Sequence, residues 1–494
     1  MQTPTGTGDQ TTETADGGWH GLFLGPRSLA LLVLTLGVGS HAVNGFVTVA
    51  ILPDIIRDLG GQERAYWIFT LFQVAAIVTG TATGALKARF GARPLFLAAS
   101  ATLFSGSLFS GIAEGTGWLL FGRFLQGFGE GMILALCYAV IPDLFPERLV
   151  ARIFSLLAGV WAIAAGIGPL AAGILTETWS WRAAFLANLP LTGILLLCAL
   201  IVLPRESRHK DGPGPRFGLA VVPRLLLIAA AVLSISMVGQ MKAVPSIALA
   251  LTFGLSLAVF TLRLDRKAAT PFIPGAAFRP GHPLGLCMWI EILMWVSSGA
   301  RVVFVTALGQ AVWGLSVTKA SYLATTVAFS WTVAAWLVAG VGEPARQRLL
   351  MQLGPAALTV GATLFATALS LQSMPLFALG AAFSGAGFGI SNLFLNKTMI
   401  YAVQGVERDR TSAFLPTLQA AGASVGAAFA GLFGLLFGLT AAGTGELVTR
   451  ETAIAAGPSV FLAMAAISLA AALLAMRLSL AAASNAEDVL SQAS

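Results

Sequence analysis

Charged residues are scarce in this chain, since Asp, Glu, Lys and Arg make up only 10% of its 494 residues. An average soluble domain is about 25% charged, so the composition excludes an ordinary water-exposed surface. Hydrophobic residues account for 56% of the chain, and its mean hydropathy is +0.83. We therefore expect lipid to be the main solvent and the fold to be an all-α polytopic membrane protein.

Cysteine and histidine are also rare, with three and four residues. Cys137, Cys198 and Cys287 lie in apolar segments without CxxC spacing, so neither a disulfide framework nor a metal site is expected. The Gly-rich stretches lie inside apolar runs and lack a following Lys-Ser/Thr, which argues against ATP binding. No nucleophile–base arrangement is evident. We expect neither an enzyme nor a bound cofactor.

The net charge of +7 does not indicate a nucleic-acid partner, because the basic residues occur singly in short loops between apolar runs. Fourteen apolar stretches are long enough to cross a membrane. With both termini inside, 19 Lys and Arg fall on the inner side and six on the outer side. This asymmetry predicts an even number of spans and two cytoplasmic termini in the cell membrane, with membrane lipid as a partner.

Two polar loops rich in Pro and Gly divide the chain and enclose two spans between them. We therefore predict two six-helix bundles plus a two-helix insert, 14 transmembrane helices in all. The predicted segments are a flexible cytoplasmic tail (1–25), an N-terminal bundle (26–204), a linker with two extra transmembrane helices (205–282), a C-terminal bundle (283–478) and a second tail (479–494). Two comparable bundles are typical of a transporter in which one moves against the other.

Several motifs resemble the major facilitator superfamily. GALKARFGAR (84–93) resembles its loop signature, and RFLQGFGEG (123–131) its fourth-span signature. GIGPLAAG (166–173) is similar to the fifth-span motif of antiporters. AILPDI (50–55) and WSWRAAFLANLP (179–190) resemble segments of the 14-span drug–proton antiporters. The resemblance implies a monomeric secondary transporter that exchanges protons, as the coupling ion, for a small amphipathic molecule.

The chain departs from the family pattern at three positions. The acidic residue of the loop signature falls at Ala88, after Lys87, so control of the cytoplasmic gate must be arranged differently. The first-span Asp falls at Asn44, and a thirteenth-span Arg falls at Gln419. The resemblance still assigns gate positions in the loop signature, namely Gly84, Arg89, Gly91 and Arg93.

The fifth span is rich in small residues and contains a Gly-Pro pair. Close helix packing is favoured where side chains are absent, and Pro169 is expected to bend the helix. We predict that this span packs against the second bundle and serves both as a packing surface and as a gate. The residues concerned are Gly159, Gly166, Gly168, Pro169 and Gly173.

Glu130 lies midway along the fourth span. A carboxyl group near the bilayer centre is costly and by default marks a function, so Glu130 is a candidate proton carrier. The alternative is a protonated Glu that bonds between helices. Arg123 lies on nearly the same helical face, about 10 Å away along the axis. The family motif suggests that it tunes proton movement, and the alternative is a structural Arg that bonds to carbonyls of the first span.

Glu291 and Arg301 lie in the ninth span, the first helix of the second bundle. Trp295 follows Glu291 by four residues and can share its face. An acid beside an aromatic ring suits an amphipathic cation, and Glu291 is a second candidate for proton coupling. Alternatively, Glu291 is hydrated at the cavity mouth. Arg301 is expected either to bind an anionic group or to neutralise Glu130.

Further polar residues are candidates for substrate binding. His41 and Asn44 are three residues apart in the first span, and Asn392 and Asn396 are four apart in the twelfth. Gln73 of the second span is a similar candidate. A structural, hydrogen-bonded His41 is the favoured alternative for that residue.

Two other functions remain open. Loss of the first-span acid and the presence of Arg123, Arg301 and Lys397 would also suit a facilitator or symporter for a metabolite or anion. A membrane protein that binds or scrambles lipid, or acts as a sensor without transport, would also contain Gly-rich helix contacts. The chain shows no soluble sensor segment, which weighs against this class.

Overall fold

The computed structural model describes residues 19–23, 26–60, 65–203, 221–241, 243–439 and 448–478. Within these ranges all regular structure is helical, with one 3₁₀ turn at Met237–Gln240 and a single helical turn at His20–Phe23. Most of the predicted tail 1–25, all of 479–494 and the polar loop 204–220 lie outside the described residues. The predicted segment boundaries remain predictions.

Sixteen further helices make up the described fold. They are α1 (Pro26–Leu59), α2 (Ala65–Phe90), α3 (Ala92–Gly111), α4 (Thr116–Leu144), α5 (Glu147–Thr178), α6 (Trp181–Leu186), α7 (Asn188–Val202), α8 (Val221–Ser236), α9 (Val244–Arg266), α10 (Pro283–Ser297), α11 (Gly299–Trp313), α12 (Val317–Val338), α13 (Pro344–Ser370), α14 (Met374–Tyr401), α15 (Gly405–Leu436) and α16 (Arg450–Ala475).

Twelve helical segments of the described chain are long and apolar enough to cross a membrane, when α6–α7 and α10–α11 each count as one. Val221–Ser236 and Thr325–Val338 are shorter apolar helices at the positions of two further predicted spans. The protein is therefore an integral, multi-pass membrane protein. The count of 14 spans stays a prediction, because two of its members are short.

The helices pack in two groups with a similar internal arrangement. In the first group α4 lies against α2 and α3, and in the second α14 lies against α12 and α13. Glycines allow the close approach in both. A Cβ atom at Gly127 or Gly131 would lie 2.2 Å from a backbone oxygen of α2, and one at Gly387 would lie 2.6 Å from a backbone oxygen of α13. The interpretation of these Gly-rich stretches as helix-packing sites is thus confirmed.

The helices α8 and α9 pack on each other and against α2 and α15. Arg224 of α8 pairs with Asp265 at the end of α9, with 2.6 Å between Nη1 and Oδ1. The Asp265 carboxylate also accepts hydrogen bonds from the backbone N–H groups of Phe272 and Ile273. This buried ion pair fixes the α8–α9 hairpin and the loop after it.

The fifth span partly differs from expectation. It packs against α12 and α14 of the second group, as predicted. The helix α5 continues through Pro169 without a break, and the bend expected at this residue stays a prediction. A Cβ atom at Gly159 would lie 3.0 Å from the Trp336 ring, but one at Gly166 or Gly173 would meet nothing within 4 Å. Packing at the last two glycines was therefore wrongly predicted.

Gly168 makes its close contact inside the first group, where an added Cβ would lie 3.1 Å from Cβ of Phe46. The described hydrogen bonds and ion pairs between α5 and the second group involve only its first half, from Glu147 to Ala158. Beyond this half, α5 exposes Ile163, Ile167 and Leu170. The described polar contacts between α5 and the second group are therefore confined to the first half of this helix.

Candidate functional site

Glu130 of α4 is the centre of a polar cluster inside the first group of helices. It is 1% exposed. Its Oε1 accepts a hydrogen bond of 2.8 Å from the Asn44 amide, and its Oε2 lies 3.0 Å from Nδ1 of His41. Both partners come from α1, because residues three apart share a helical face. The two α1 side chains thus hold both oxygens of one buried carboxyl group.

Arg123 joins the same cluster through Asn44. Its Nη1 donates to the Asn44 side-chain oxygen at 3.1 Å and to Gln126 at 2.8 Å, and its Nε donates to the Ile68 carbonyl at 3.2 Å. The guanidinium also lies 4.3 Å from the centre of the Phe72 ring. The expected carbonyl partner in the first span was wrong, because the carbonyl belongs to α2. Arg123 is a fully partnered cation that reaches Glu130 through an amide.

His41 connects this cluster to the accessible surface of the protein. Its side chain is 20% exposed, whereas that of Glu130 is 0% exposed. The imidazole packs between Phe72, with ring centroids 6.1 Å apart, and Trp161, at 5.8 Å. A part-exposed imidazole in contact with a buried carboxyl group can pass a proton to it. The structure therefore combines the two alternatives for His41, since it is hydrogen-bonded and also borders the accessible space.

A second carboxyl cluster lies in the other group of helices, around Glu291 of α10. Its Oε1 accepts hydrogen bonds from Trp295 at 3.0 Å, from Asn392 at 2.5 Å and from Gln419 at 3.1 Å. Asn396 in turn donates to the Asn392 side-chain oxygen at 2.9 Å. The predicted pairs at four-residue spacing are confirmed. Glu291 is 0% exposed, so the alternative of a hydrated residue at a cavity mouth is wrong.

The second carboxyl oxygen of Glu291 is buried without a hydrogen-bond partner among the described residues. Trp295 continues the cluster into an aromatic group, with ring centroids 4.9 Å from Phe388 and 5.8 Å from Trp331. The ring beside the Glu291 carboxyl group thus belongs to an aromatic group formed by α10, α12 and α14.

Arg301 and Gln73 lie apart from both clusters. Arg301 borders a small cavity inside the second group, together with Ser297, Ser298 and Ser384. The described partners of Glu130 are His41 and Asn44, and no described hydrogen bond or ion pair joins it to Arg301, so the expected neutralisation of Glu130 is not supported. Gln73 is half-buried and makes no described hydrogen bond to either cluster.

A third charged cluster lies at the end where the two groups of helices are in contact, which we call the closed end. It contains Asp143 and Asp409, which the sequence did not single out. Lys87 of α2 is only 3% exposed. Its Nζ lies 2.7 Å from Asp143 of α4 and 2.8 Å from Asp409 of α15, and donates to the Ala139 carbonyl. A lysine thus precedes Ala88, the position where the family resemblance expects an acidic residue, and its carboxylate partners lie on both groups of helices.

The other predicted gate positions differ in their contacts at the closed end. A Cβ atom at Gly84 would lie 2.7 Å from Cα of Arg410 in α15, so this glycine permits close contact between the groups. Gly91 adopts a φ of 82° between α2 and α3, a conformation that favours glycine. Arg89 is exposed and lies 5.1 Å from the Phe90 ring centre, while Arg93 is half-buried at the start of α3.

Further contacts hold the same end closed. Lys397 of α14 pairs with Glu147 of α5 at 3.2 Å, so its ammonium group contacts the other group of helices. Trp336 donates through its indole N–H to the Ser155 carbonyl at 2.9 Å. Trp336 is therefore a contact between groups and is not purely lipid-facing.

Comparisons with known proteins agree with this architecture. A family model described as Major Facilitator Superfamily matches residues 34–285, just over half of the chain. The chain belongs to the major facilitator superfamily. As a superfamily member it is a transporter of small molecules, so its polar clusters are interpreted as parts of a transport pathway.

Curated relatives cover most of this superfamily member. A Mycobacterium tuberculosis protein named as a probable multidrug-efflux transporter is 28% identical over 85% of this chain and 91% of its own length. The uncharacterized transporter YebQ of Escherichia coli is 26% identical over the same shares of the two chains. Multidrug resistance protein 3 of Bacillus subtilis is 25% identical over 60% of this chain and 57% of its own.

Solved structures share the fold at low sequence identity. The crystal structure of the human organic anion transporter MFSD10 (TETRAN) matches 92% of this chain and 100% of its own, with a TM-score of 0.67 at 13% identity. The proton:xylose symporter XylE matches 91% and 95%, with a TM-score of 0.62 at 15% identity. At these identities the likeness concerns the fold alone.

Proposed function

We propose that this protein is a proton-coupled antiporter that exports small amphipathic, drug-like molecules from the cell. The observation that carries the proposal is the buried carboxyl group of Glu130, held by His41 and Asn44. A proton carrier needs a group that can be neutral or charged within the membrane and a path by which the proton arrives. Glu130 supplies the group that changes charge, and the part-exposed His41 supplies the path by which the proton arrives.

The substrate class draws support from the names of the curated relatives, two of which refer to multidrug transport. Glu291, Trp295 and the neighbouring aromatic rings would bind the substrate, since an acid beside aromatic rings suits a cationic, amphipathic molecule. Asn392 and Asn396 would orient the Glu291 carboxyl group. The second carboxyl oxygen of Glu291, which has no hydrogen-bond partner among the described residues, supports this role.

We place the protein in the cell membrane as a monomer with both termini in the cytoplasm. The loop that carries Lys87, Arg89 and Arg93 is then cytoplasmic, in agreement with the distribution of basic residues. The described conformation is in consequence closed to the cytoplasm and separated toward the outside. Two six-helix bundles with α8 and α9 as the insert are the arrangement that we propose for the 14 spans.

Transport by inside-out vesicles tests the proposal. With ethidium as the probe, we expect uptake to be driven by an inside-acid pH gradient and to stop when the gradient is collapsed. Glu130→Gln should abolish the dependence on the gradient, because an amide cannot carry the proton. Downhill ethidium movement should persist in this variant.

Glu114→Gln is the matched control, since Glu114 is an exposed acid in the short connection before α4. We expect it to behave like the unmodified protein. Ethidium uptake that ignores the pH gradient would exclude antiport. Gradient-driven uptake that survives Glu130→Gln would remove Glu130 from the coupling step.

A further inference from the structure

We propose that the loop between α9 and α10, residues 267–282, is a latch that holds the closed end shut. The Phe272 ring of this loop is seated against α2 of the first group, while the rest of the loop is attached to the second group. The latch goes beyond the proposed transport reaction, since it depends on neither the coupling ion nor the substrate. It requires only that α2 and α15 separate when the closed end opens.

The burial of Phe272 is the first reason for the proposal. Connecting loops usually run over the surface of a protein, yet the Phe272 side chain is only 1% exposed. It belongs to a buried apolar cluster with Ala82 and Ala85 of α2 and Val221 of α8. Burial of a ring of this size is strongly favourable. The loop is therefore anchored on the first group by one aromatic side chain.

The buried ion pair of the insert positions this ring. The carboxylate of Asp265, which pairs with Arg224, accepts hydrogen bonds from the backbone N–H groups of Phe272 and Ile273. The Arg224 guanidinium donates to the Thr270 carbonyl at 3.0 Å and lies 4.6 Å from the centre of the Phe272 ring. Loss of either member of a buried ion pair is costly. The pair thus fixes the backbone at the point where the ring meets α2.

The second half of the loop is attached to the second group of helices. The backbone N–H of Gly275 donates to the Glu407 carboxylate of α15. The carbonyl of Phe278 accepts a hydrogen bond of 3.0 Å from the indole N–H of Trp289 in α10, and the two rings lie 5.3 Å apart between centroids. These contacts connect the loop to α10 and α15 only a few residues after Phe272.

The two-helix insert is attached to α15 as well. Ile235 of α8 and Ile247 and Leu251 of α9 form a buried apolar cluster with Ala428 of α15. The loop is also continuous with α10, a helix of the second group. When α2 and α15 move apart, we therefore expect the insert and its loop to stay with the second group. The contact of α8 with α2 then breaks together with that of Phe272.

The seat of Phe272 adjoins the closed end. Gly84 lies between Ala82 and Ala85 in α2, and a Cβ atom there would lie 2.7 Å from Cα of Arg410 in α15. Separation of α2 and α15 at this point has to withdraw the Phe272 ring from its seat. Because withdrawal exposes apolar surface that is buried in the closed conformation, it opposes opening.

Maleimide labelling of a buried reporter cysteine tests the latch without a transport assay. The reporter is Ala413→Cys in a background without the native cysteines, because Ala413 of α15 is 1% exposed and packs with Ala139 of α4. Phe272→Ala should increase its labelling rate about tenfold or more, since the ring no longer holds α2. Phe278→Ala is the matched control, because its ring packs on Trp289 within the second group. Its rate should match that of the unmodified protein.

A cross-link tests the latch even if Phe272→Ala loosens the whole loop. Phe272→Cys and Ala82→Cys are joined by a short bis-methanethiosulfonate reagent, and labelling of the reporter is read by mass spectrometry. The linked protein should label about tenfold more slowly than the same protein before linking, because α2 can no longer leave the loop. A link between Ile235→Cys and Ala428→Cys joins the insert to α15 and should leave the rate unchanged.

Three outcomes would overturn the proposal. The first is an equal labelling rate in Phe272→Ala and Phe278→Ala. The second is an unchanged rate after Phe272→Cys is linked to Ala82→Cys, which would show that the loop moves with α2. The third is a slower rate after the link to α15, which would place the insert with the first group. None of these measurements involves transport, so failure of the latch and failure of the proposed export are distinguished.

Discussion

The Lys87 cluster leads to a quantitative prediction about the opening of the closed end. Lys87 has one carboxylate partner in its own group, Asp143, and one in the other group, Asp409. Only the bond to Asp409 must break when the two groups separate. Replacement of Lys87 by Met removes the cation but keeps the length and apolar stem of the side chain. Asp409 then remains buried without this cation in the closed conformation.

Removal of one partner from a buried ion pair costs about 3–5 kcal/mol. Asp409 is mostly buried, with a side chain 9% exposed, whereas Asp143 is 48% exposed and its bond is largely screened by solvent. We use about 3 kcal/mol, the lower limit, because other polar groups surround Asp409. Since 1.4 kcal/mol corresponds to a factor of ten, opening should become roughly a hundredfold more frequent.

A buried reporter cysteine measures this opening. Ala413 of α15 is 1% exposed and packs against Ala135 and Ala139 of α4 at the closed end. In a background without the three native cysteines, Ala413→Cys should react with a maleimide only when the groups separate. We expect Lys87→Met to increase the labelling rate by up to about a hundredfold on this energy argument. Asp409→Asn should increase it less, because Lys87 keeps Asp143 and the Ala139 carbonyl as partners.

Two comparisons make the experiment decisive. Asp143→Asn changes an equally close partner of Lys87 within the same group, so its labelling rate should rise no more than a few fold. In the double variant Lys87→Met/Asp409→Asn, the increase in labelling rate should be smaller than the two single effects combined. The reason is that the double variant leaves neither the Lys87 cation nor the Asp409 carboxylate in the pair. Unchanged labelling in Lys87→Met, or an equal effect of Asp143→Asn, would refute the assignment.

Two other substitutions test neighbouring parts of the structure. Gly159→Leu should push Trp336 away and weaken the closed end by about 1–3 kcal/mol, as overpacking does. Gly166→Leu is its control, because a Cβ atom at Gly166 meets nothing within 4 Å. Equal labelling of the reporter cysteine in both variants would contradict the contact between Gly159 and Trp336. Asn44→Asp keeps an acceptor for Arg123 but removes the donor to Glu130, a hydrogen bond to a charged group that contributes about 1.5–3 kcal/mol. It should therefore change the pH profile of transport, while an unaltered profile would show that Asn44 does not act on the coupling step.

Local spacing predicted part of the candidate site correctly. His41 and Asn44 share one face of α1, and Trp295 lies one turn after Glu291, because the helical repeat alone places such pairs together. The low charge content likewise predicted helices in a membrane. The side-chain pairs depend on residues within one turn of each other, where periodicity is sufficient, and the membrane assignment depends on composition.

Contacts between distant segments could not be predicted in this way. Glu291 meets Asn392 and Gln419 from 101 and 128 residues away, and the Lys87–Asp409 pair joins residues 322 apart. The missing acid at Ala88 and the preceding Lys87 were visible in the sequence, but the two carboxylate partners of Lys87 were not. Arg301 likewise looked like a partner for Glu130 until the packing placed it in a different cavity.

The fifth span shows, within one helix, both what the sequence predicts and what only the packing decides. Its small residues and its contact with the second group follow from composition and order along the chain, because bare helix surfaces pack closely in a membrane. The glycine that actually contacts the other group, Gly159, depends on where Trp336 of α12 lies. Helical periodicity defines the faces of a helix, but only tertiary packing determines which neighbour each face meets, since that choice depends on the fit of all helices together.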